Sequence, residues 1–383
     1  MVKIPFLLGS MQKKLGTILE NYNASEITIG TLGGHSGLDV CRGAKLQGFK
    51  TVAVCQKGRD KTYSQYYKTR DDKGIVDETI ILNSFKEITK KNVQERLREL
   101  NTIFIHNRYF WVYCDYKDIE RNFIVPIFGN RELVKFEERN IQNNQYVILE
   151  KSGIRIPKLF KKPEFIDRPV IVKVAEAKRS YERAFFFADS YKTYKEKAQE
   201  LTGKKAITED GLKKAVIEEY AIGAQVNFNF FYSPLTNELE LMGTDTRRQT
   251  NLDGLLRLPA TDQMEALKVI KPKMIETGHI AVTLKESLLE KAFELGEKFI
   301  VGVQKVHRQT MIGPFSLQGA VVTDEGKEDI VIFDVSMRIP GSPGTMFTPY
   351  SGYLYLHPLS YGERIAQEIR KAIDTNQLRK IIT

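Results

Sequence analysis

Cysteine is scarce in this chain, with only three among 383 residues. Cys41, Cys55 and Cys114 are odd in number and widely spaced, so they predict neither a disulfide framework nor a metal site. Cys55 ends the apolar run 51–55, which favours a packed free thiol over a reactive one. We therefore expect no chemistry from the cysteines.

Long apolar runs are also missing, since no stretch approaches the ~20 residues that span a bilayer. Residues 1–8 carry a short apolar segment without a small-residue cleavage site, unlike a signal peptide. Hydrophobic residues make up 42% of the chain and charged residues 28%, as in ordinary globular proteins. The length predicts two or three domains. Together these features predict a cytoplasmic protein without a membrane partner.

Acidic residues are fewer than basic ones. The chain has 58 Lys and Arg and 48 Asp and Glu, which gives a net charge of +10. Such an excess attracts nucleic acid or small anionic substrates. The basic residues are spread along the chain among acidic ones, and no nucleic-acid-binding motif is present. We expect no nucleic-acid partner; solvated charged faces explain most of the excess, and phosphorylated ligands are the alternative.

The first third of the chain alternates strands and helices. Residues 26–32 and 51–55 have strand character, and the helix between them ends at Gly48. This βαβ pattern predicts a parallel sheet with a right-handed crossover. The pattern continues with predicted strands 79–82, 102–106 and 125–130 and with a predicted helix over 90–100.

The remainder divides at residues 153–157, which resemble a hinge after a predicted helix over 132–151. A small α+β unit follows, with predicted strands 169–173, 184–188 and 215–219 and a helix over 190–201. After Gly223 we predict strands 226–232, 239–242, 315–322 and 330–335 and helices 284–301 and 362–375. The expected domains are 1–130, 131–222 and 223–383.

The loop 33–37 closes the first predicted strand and opens a helix. Backbone N–H groups and the helix dipole favour an anion at such a place. His35 and Ser36 could hydrogen-bond a phosphate or a sugar hydroxyl. The G-x-G-x-x-G dinucleotide fingerprint is absent, so a tight turn with an exposed histidine is the alternative.

Two strand ends carry charge. Lys173 closes the apolar run 169–173, where an unpaired lysine costs desolvation; the alternative is a side chain that reaches solvent. Glu218 and Glu219 lie on an extended segment and point to opposite sides, so one can face a cleft while the other faces solvent. Two solvated acids on an edge strand are the alternative there.

Gln318 and Asp334 lie on consecutive predicted strands, and a hairpin would bring them together over a metal–phosphate site. Mg²⁺ prefers hard oxygen ligands, usually one or two carboxylates with phosphates and water. A buried Asp334 beside Arg338 is the alternative. Residues 245–251 include Arg247, whose fork suits phosphate or carboxylate, unless this stretch is a solvated basic loop.

Taken together, these stretches resemble the archaeal PurP family, formate-dependent ligases of the ATP-grasp superfamily that formylate the purine intermediate AICAR to FAICAR. The resemblance extends from about residue 27 to residue 383. It is carried by TLGGHS (31–36), FGNRE (128–132), KSGIRIP (151–157), EYAIG (219–223), NLDG (251–254), LPA (258–260), ESLL (286–289), GPFSL (313–317) and RIA (364–366).

The resemblance implies an ATP-grasp fold, α/β and α+β, with an N-terminal Rossmann-like domain. It implies that ATP phosphorylates formate and that the AICAR amine attacks the resulting formyl phosphate. AICAR and formate are the implied small-molecule partners, ATP with Mg²⁺ or Mn²⁺ the implied cofactors, and a homo-oligomer the implied assembly. The implied sites are His35, Ser36, Tyr109, Arg247 and Asn251 for AICAR, Lys173, Lys178, Arg183, Glu218, Glu219, Ala221 and Ile222 for ATP, and Gln318 and Asp334 for the metal.

The chain departs from the family pattern at several points. A glycine-rich phosphate loop is replaced by residues 177–186, where Lys178 and Arg183 would act as cations instead. The metal positions usually hold two glutamates. A serine expected near the AICAR phosphate falls around Tyr109, where His106 and Arg108 are candidate replacements. These differences suit a divergent branch, a paralogue acting on a different acid or amine, or a non-catalytic protein that binds an AMP-like nucleotide.

Overall fold

The computed structural model describes residues 8–139, 141–174, 185–270, 272, 275–324 and 326–383. Three sheets organise this part of the chain: a five-stranded parallel sheet, a four-stranded sheet and a five-stranded antiparallel sheet. None of its helices is long and apolar enough to cross a membrane. Cys55 is buried with a free thiol, as predicted.

The parallel sheet forms as the βαβ pattern predicted, with strand order β3-β2-β1-β4-β5. The strands β1, β4 and β5 are buried on both faces, which is typical of parallel sheets covered by helices, whereas the edge strand β3 is partly exposed. The loops after β1 and β4 meet at its carboxyl edge. Its elements are α1 (Leu8–Glu20), β1 (Thr28–Leu32), α2 (Gly37–Leu46), β2 (Lys50–Gln56), β3 (Glu78–Leu82), α3 (Lys91–Glu99), β4 (Thr102–Ile105), α4 (Arg108–Tyr113), α5 (Tyr116–Arg121) and β5 (Ile127–Phe128).

The helix predicted over 132–151 is wrong for much of its length. Asn143 has a φ of 57°, and the side chain of Asn144 caps a new helix by accepting from Tyr146 N. Among the described residues of this stretch, only a 3₁₀ turn, Val134–Glu137, and the short helix α6 (Gln145–Lys151) are helical. The elements that follow are α6 (Gln145–Lys151), β6 (Leu159–Phe160), β7 (Val170–Lys173), β8 (Phe185–Ala188), α7 (Tyr191–Gly203), α8 (Glu209–Lys213) and β9 (Val216–Glu219).

The small sheet has the order β6-β9-β7-β8 and is antiparallel throughout. Val170, Val172 and Ile217 point to one face and form a core with α7. The helix α7 begins at Ser190, whose side chain accepts from Thr193 N in a capping box. The opposite face of β7 and β9 is therefore left to face the rest of the molecule.

The large antiparallel sheet has the order β12-β11-β10-β13-β14. The helix α11 packs on it through Phe299, which stacks on Phe315 with ring centroids 5.3 Å apart. The predicted strands of this region are confirmed, although β11 is much longer than 239–242, and β12 and α10 were not predicted. The elements are β10 (Ala224–Ser233), β11 (Glu238–Gln249), α9 (Leu252–Leu255), α10 (Ala260–Val269), β12 (Glu276–Ala281), α11 (Leu289–His307), β13 (Gly313–Asp324), β14 (Lys327–Ser336), α12 (Pro349–Tyr355) and α13 (Tyr361–Asp374).

The C-terminal segment packs onto the parallel sheet and also contacts the large sheet, where Arg364 of α13 pairs with Glu240 of β11 at 2.7 Å. A Cβ on Gly43 of α2 would lie 2.0 Å from the Gly362 carbonyl carbon, so only glycines allow α2 and α13 to approach this closely. Gly362 N donates to Asp39 Oδ2 at 2.9 Å. Ile127 and Thr383 exchange backbone hydrogen bonds of 3.0 and 2.8 Å. The end of the chain thus closes the side of the sheet formed by β5.

Candidate active site

His35 lies in the loop at the carboxyl end of β1. Its Nδ1 is 3.2 Å from Ser36 Oγ, which donates to the Pro340 carbonyl at 2.5 Å. A Cβ on Gly341 would lie 2.7 Å from His35 Nε2. The loop is therefore in contact with the segment that follows β14, and the alternative of an exposed turn is wrong.

The charge state of His35 follows from its surroundings. Burial, with the positive charges of Arg338 and Arg108, lowers the pKa of His35 to about 3. The imidazole is neutral near neutral pH and can accept as well as donate a hydrogen bond. This suits contact with a hydroxyl or an amine better than a cationic contact with phosphate.

Asn107 connects the two loops at the carboxyl edge. Its Nδ2 donates to the carbonyls of Leu32 and Gly34 at 3.0 and 3.1 Å, and its Oδ1 accepts from Tyr109 N at 3.1 Å. The Tyr109 ring lies over Gly34, where a Cβ would be 2.1 Å from it, and its centroid is 6.4 Å from that of His35. The predicted residues His35, Ser36 and Tyr109 are thus brought together.

His106 is less available than the sequence suggested. It is 4% exposed, and its Nδ1 accepts from Trp111 Nε1 at 2.7 Å. Burial, with the charges of Arg338 and Arg131, lowers the pKa of His106 to about 3. A neutral, buried ring is a poor phosphate ligand, so Arg108 remains the candidate of the two.

Two arginines from the region of the large sheet lie close enough to Arg108 that their charges, together with burial, lower its pKa. Arg338 follows β14, and its Nη2 is 3.2 Å from Glu137 Oε2. Arg247 on β11 donates from Nη2 to Gln318 Oε1, while its Nε is 3.4 Å from Glu276 Oε2. Arg247, predicted to bind substrate, therefore contacts a predicted metal position directly.

Sequence reasoning missed His279, which lies on β12 between two carboxylates. Its Nδ1 contacts Asp245 Oδ2, and its Nε2 is 3.0 Å from Glu276 Oε1. Burial alone would lower its pKa, but hydrogen bonds and charges from both acids raise the pKa of His279 to about 9. The ring is a cation that orients Glu276, and through it Arg247.

Lys173 and Glu218 form a buried ion pair on the free face of the small sheet. Lys173 Nζ also donates to the Phe333 carbonyl at 3.4 Å, and Tyr146 OH donates to Glu218 Oε2 at 2.7 Å. Burial lowers the pKa of Lys173, with Glu218 opposing this shift. Lys173 does not reach solvent, so that alternative is wrong.

Glu219 points away from Glu218, as the alternation predicted. Its Oε1 is 3.4 Å from Arg168 Nη1, and its Oε2 accepts from Lys158 N at 3.2 Å. Glu218 is 2% exposed, whereas Glu219 is only partly covered. Only Glu218 faces the space between the small and large sheets.

Gln318 and Asp334 are direct cross-strand partners on β13 and β14, as the hairpin reasoning predicted. Asp334 Oδ1 accepts from Arg139 Nη2 at 2.9 Å, whereas Arg338 pairs with another acid. The described residues contain no group of three or more His, Cys, Asp or Glu suited to a metal. One carboxylate and one amide oxygen fit a Mg²⁺ that arrives on nucleotide phosphates better than a metal held by protein alone.

A cavity of about 520 Å³ opens beside Arg139 and Tyr146, and Arg139 Nε donates to Tyr146 OH at 3.3 Å. This volume lies within the range of roughly 300–1,000 Å³ typical of small-molecule sites. The cavity borders the network that runs from Lys173 to Asp334. Its lining is formed by Arg139, Asn144, Tyr146, Val147, Glu150, Ile156, Pro157, Lys158, Leu159 and Val216.

The remaining predicted site residues lie apart from these contacts or outside the described residues. Ala221 packs against β13 and β14 of the large sheet, and Ile222 is 76% exposed. Asn251 is exposed at the start of α9, and no hydrogen bond among the described residues links it to His35 or Ser36. Lys178 and Arg183 lie outside the described residues.

The chain also resembles known proteins in sequence and in fold. A family model described as a protein of unknown function (DUF1246) matches residues 29–160, and one described as a domain of unknown function (DUF1297) matches 193–383. The 5-formaminoimidazole-4-carboxamide-1-(beta)-D-ribofuranosyl 5'-monophosphate synthetase of Methanocaldococcus jannaschii is 39% identical over 96% of this chain and 98% of its own length. The chain belongs to this synthetase family. The synthetase of Methanosphaera stadtmanae is 37% identical over 98% of this chain and all of its own.

Solved structures agree with this membership. The IMP biosynthesis protein PurP from Thermococcus kodakaraensis aligns with a TM-score of 0.69 and 25% identity over 93% of this chain and 100% of its own. N5-carboxyaminoimidazole ribonucleotide synthetase from Thermotoga maritima has a TM-score of 0.53 at 15% identity, covering 90% and 75%, and shows the fold alone. The predicted ATP-grasp fold with a Rossmann-like N-terminal domain and the predicted PurP family are confirmed.

Proposed function

We propose that this chain is an ATP- and formate-dependent ligase that formylates AICAR to FAICAR in purine biosynthesis, through formyl phosphate. Near full-length relatives named as FAICAR synthetases support the reaction. The observation that carries the proposal is the hydrogen bond between Arg247 and Gln318. Burial and the charges of Arg338 and Arg247 lower the pKa of Arg108, the residue after Asn107, so Arg247 lies near the loops around His35. A substrate at these loops would adjoin the reacting phosphate of a nucleotide at the Gln318–Asp334 pair.

In this proposal, a cationic residue binds the phosphates of ATP, and oxygen-bearing residues hold the metal. ATP would lie in the cleft between the small and large sheets, with Lys173 as the fixed cation for its phosphates. Mg²⁺ or Mn²⁺, held by Asp334 and Gln318 together with those phosphates, would neutralise phosphate charge. Fixed positive groups aimed at developing phosphoryl charge are the main source of catalysis in such transfers.

The bonds formed and broken are few. A formate oxygen attacks the γ-phosphorus and ADP leaves, which gives formyl phosphate. The AICAR amine then attacks the formyl carbon, and phosphate leaves with one formate oxygen. His35, as a neutral ring, can accept a hydrogen bond from that amine. The nearby arginines would hold the anions, and enclosure of the cleft would protect formyl phosphate from water.

The test is phosphate release from ATP and Mg²⁺, with formate and AICAR omitted in turn. We expect release with FAICAR formation only when both are present. Lys173→Ala should remove this turnover, whereas Lys162→Ala, at an exposed position in the same unit, should not. FAICAR formation without ATP, or release that ignores AICAR, would contradict the proposal.

A second candidate is nucleotide binding without turnover, or ligation of another acid or amine. The metal pair favours it, because Gln318 is neutral and its carbonyl already accepts from Arg247. AICAR binding without phosphate release would support a sensor, and release with a different acid or amine would support a paralogue. The domain division at 130 and 222, the homo-oligomer and the ATP and metal residues remain proposals alongside the function.

A further inference from the structure

Arg139 links the predicted metal ligand Asp334 to the small sheet. Its Nη2 donates to Asp334 Oδ1 at 2.9 Å, and its Nε donates to Tyr146 OH at 3.3 Å. Tyr146 OH in turn donates to Glu218 Oε2 at 2.7 Å, and Glu218 pairs with Lys173. These contacts form one continuous series of charged and polar groups across the cleft between the small and large sheets.

The series closes into a ring that balances its own charge. Lys173 Nζ donates at 3.4 Å to the carbonyl of Phe333, the residue before Asp334. Two cations and two carboxylates alternate around the ring, so their formal charges cancel. Burial lowers the pKa of Lys173, and the charges of Arg139 and Asp334 are among those that also act on it. An ion that binds beside Lys173 therefore changes the balance of charge at Arg139.

Arg139 and a metal would use the same carboxylate. The side chain of Asp334 is 14% exposed and already pairs with Arg139. Its cross-strand partner Gln318 offers a neutral oxygen that accepts from Arg247. Two positive groups on one partly buried carboxylate repel each other, since solvent screens them little. Metal binding at Asp334 therefore favours release of Arg139.

The surroundings of Arg139 allow its side chain to change partner. Asn144, which caps α6, fixes the backbone through a 2.6 Å hydrogen bond from its Nδ2 to the Arg139 carbonyl. The cavity of about 520 Å³ borders the same side chain and gives the guanidinium room. Phosphates held at Lys173 would offer new acceptors, because planar guanidinium groups bind phosphate oxygens well. A nucleotide can therefore take over Arg139 when a metal takes Asp334.

We propose that Arg139 exchanges between Asp334 and the nucleotide phosphates, so that it opposes metal binding without nucleotide and makes the two ligands bind together. This inference rests on the proposed function for the placement of the metal at Asp334 and of the phosphates at Lys173. A nucleotide that withdraws Arg139 raises the affinity for the metal, and the metal raises the affinity for the nucleotide by the same factor. Arg139 thus favours a metal that arrives on the nucleotide over a free ion.

The test measures Mn²⁺ binding without nucleotide, by electron paramagnetic resonance, in wild type, Arg139→Met and Arg155→Met. Arg155 is the matched control, because it pairs at 2.8 Å with Asp329, which lies on β14 as Asp334 does. We expect Arg139→Met to bind Mn²⁺ roughly 3- to 10-fold more tightly than wild type, because a competing ion pair of intermediate exposure is lost. Arg155→Met should change this affinity by less than about twofold, since its pair uses another carboxylate.

The second readout is the coupling between metal and nucleotide. ADP should tighten Mn²⁺ binding in wild type and in Arg139→Met, because its phosphates contact the metal directly. The factor of tightening should be roughly 3- to 10-fold smaller in Arg139→Met, where no cation has to leave Asp334. A purely structural role of Arg139 would weaken Mn²⁺ binding with and without ADP alike and would not tighten it.

Unchanged or weaker Mn²⁺ binding in Arg139→Met without nucleotide, or an ADP factor equal to that of wild type, would overturn the inference. Neither readout needs turnover, so tighter Mn²⁺ binding in Arg139→Met supports the exchange even if wild type forms no FAICAR. Unchanged Mn²⁺ binding in Asp334→Asn would overturn the metal assignment together with the exchange, whereas weaker binding there without a gain in Arg139→Met would overturn the exchange alone. If Arg139→Met does not fold, Arg139→Gln takes its place, and unchanged Mn²⁺ affinity in that variant contradicts the exchange.

Discussion

Lys173 and Glu218 are predicted to act as a unit in folding but to differ in catalysis. Their side chains are 8% and 3% exposed, so neither charge has water to replace a lost partner. Among the described residues, Lys173→Met leaves Glu218 with only the Tyr146 hydroxyl as a donor. Breaking a buried pair from one side costs about 3–5 kcal/mol, so we expect Lys173→Met to lose this much free energy of unfolding.

The double variant Lys173→Met/Glu218→Gln removes both charges and keeps a similar volume. We expect it to be more stable than Lys173→Met by about 1–3 kcal/mol, because no uncompensated buried charge remains. Urea unfolding of wild type, both single variants and the double variant would measure this coupling. Phosphate release should be lost in both variants that lack Lys173, independently of their stability.

Two results would refute this reasoning. Additive losses in the double variant would mean that the pair is not coupled in solution. Wild-type turnover in a folded Lys173→Met protein would mean that this lysine does not contact the nucleotide. Arg155 provides a control, because its pair with Asp329 is far more exposed and should contribute at most about 1 kcal/mol.

Three further predictions concern other parts of the molecule. The contacts of protonated His279 raise its pKa to about 9, so they stabilise the fold fully below about pH 6.5 and progressively less as pH rises through 9. His279→Gln should remove this decline in stability, and a pH–stability curve equal to that of wild type would contradict the prediction. Asp334→Asn should raise the Mg²⁺ concentration for half-maximal turnover steeply, so an identical titration would exclude Asp334 as a ligand. Gly43→Ala places a Cβ against Gly362 and should destabilise by about 1–3 kcal/mol, and a thermal melt equal to that of wild type would show that α2 and α13 separate easily.

The parts of the site that lie on regular strands could be predicted from the sequence. Alternation along one strand decided that Glu218 and Glu219 face opposite sides. The adjacency of two strands in the chain brought Gln318 opposite Asp334, because consecutive antiparallel strands usually pair. Local patterns sufficed in these cases, since each relation spans one strand or one hairpin.

The rest depends on contacts between distant segments. His279 belongs to β12, which has no buried residue and hence no apolar alternation to mark it as a strand. The neutrality of His35 depends first on its burial and then on the charges of Arg338 and Arg108, which follow β14 and β4. The predicted helix 132–151 is interrupted at Asn143, whose backbone adopts a left-handed conformation. Helix propensities alone do not predict this conformation. No local pattern carries these relations.

The central claim is tested most directly by following formate oxygen. The protein is incubated with ATP, Mg²⁺, AICAR and formate labelled with ¹⁸O at both oxygens, and the products are examined by mass spectrometry. The account predicts one ¹⁸O in each released phosphate and one in the formyl group of FAICAR. Unlabelled phosphate released alongside FAICAR would contradict formyl phosphate, and the absence of FAICAR with saturating substrates would contradict the ligase itself.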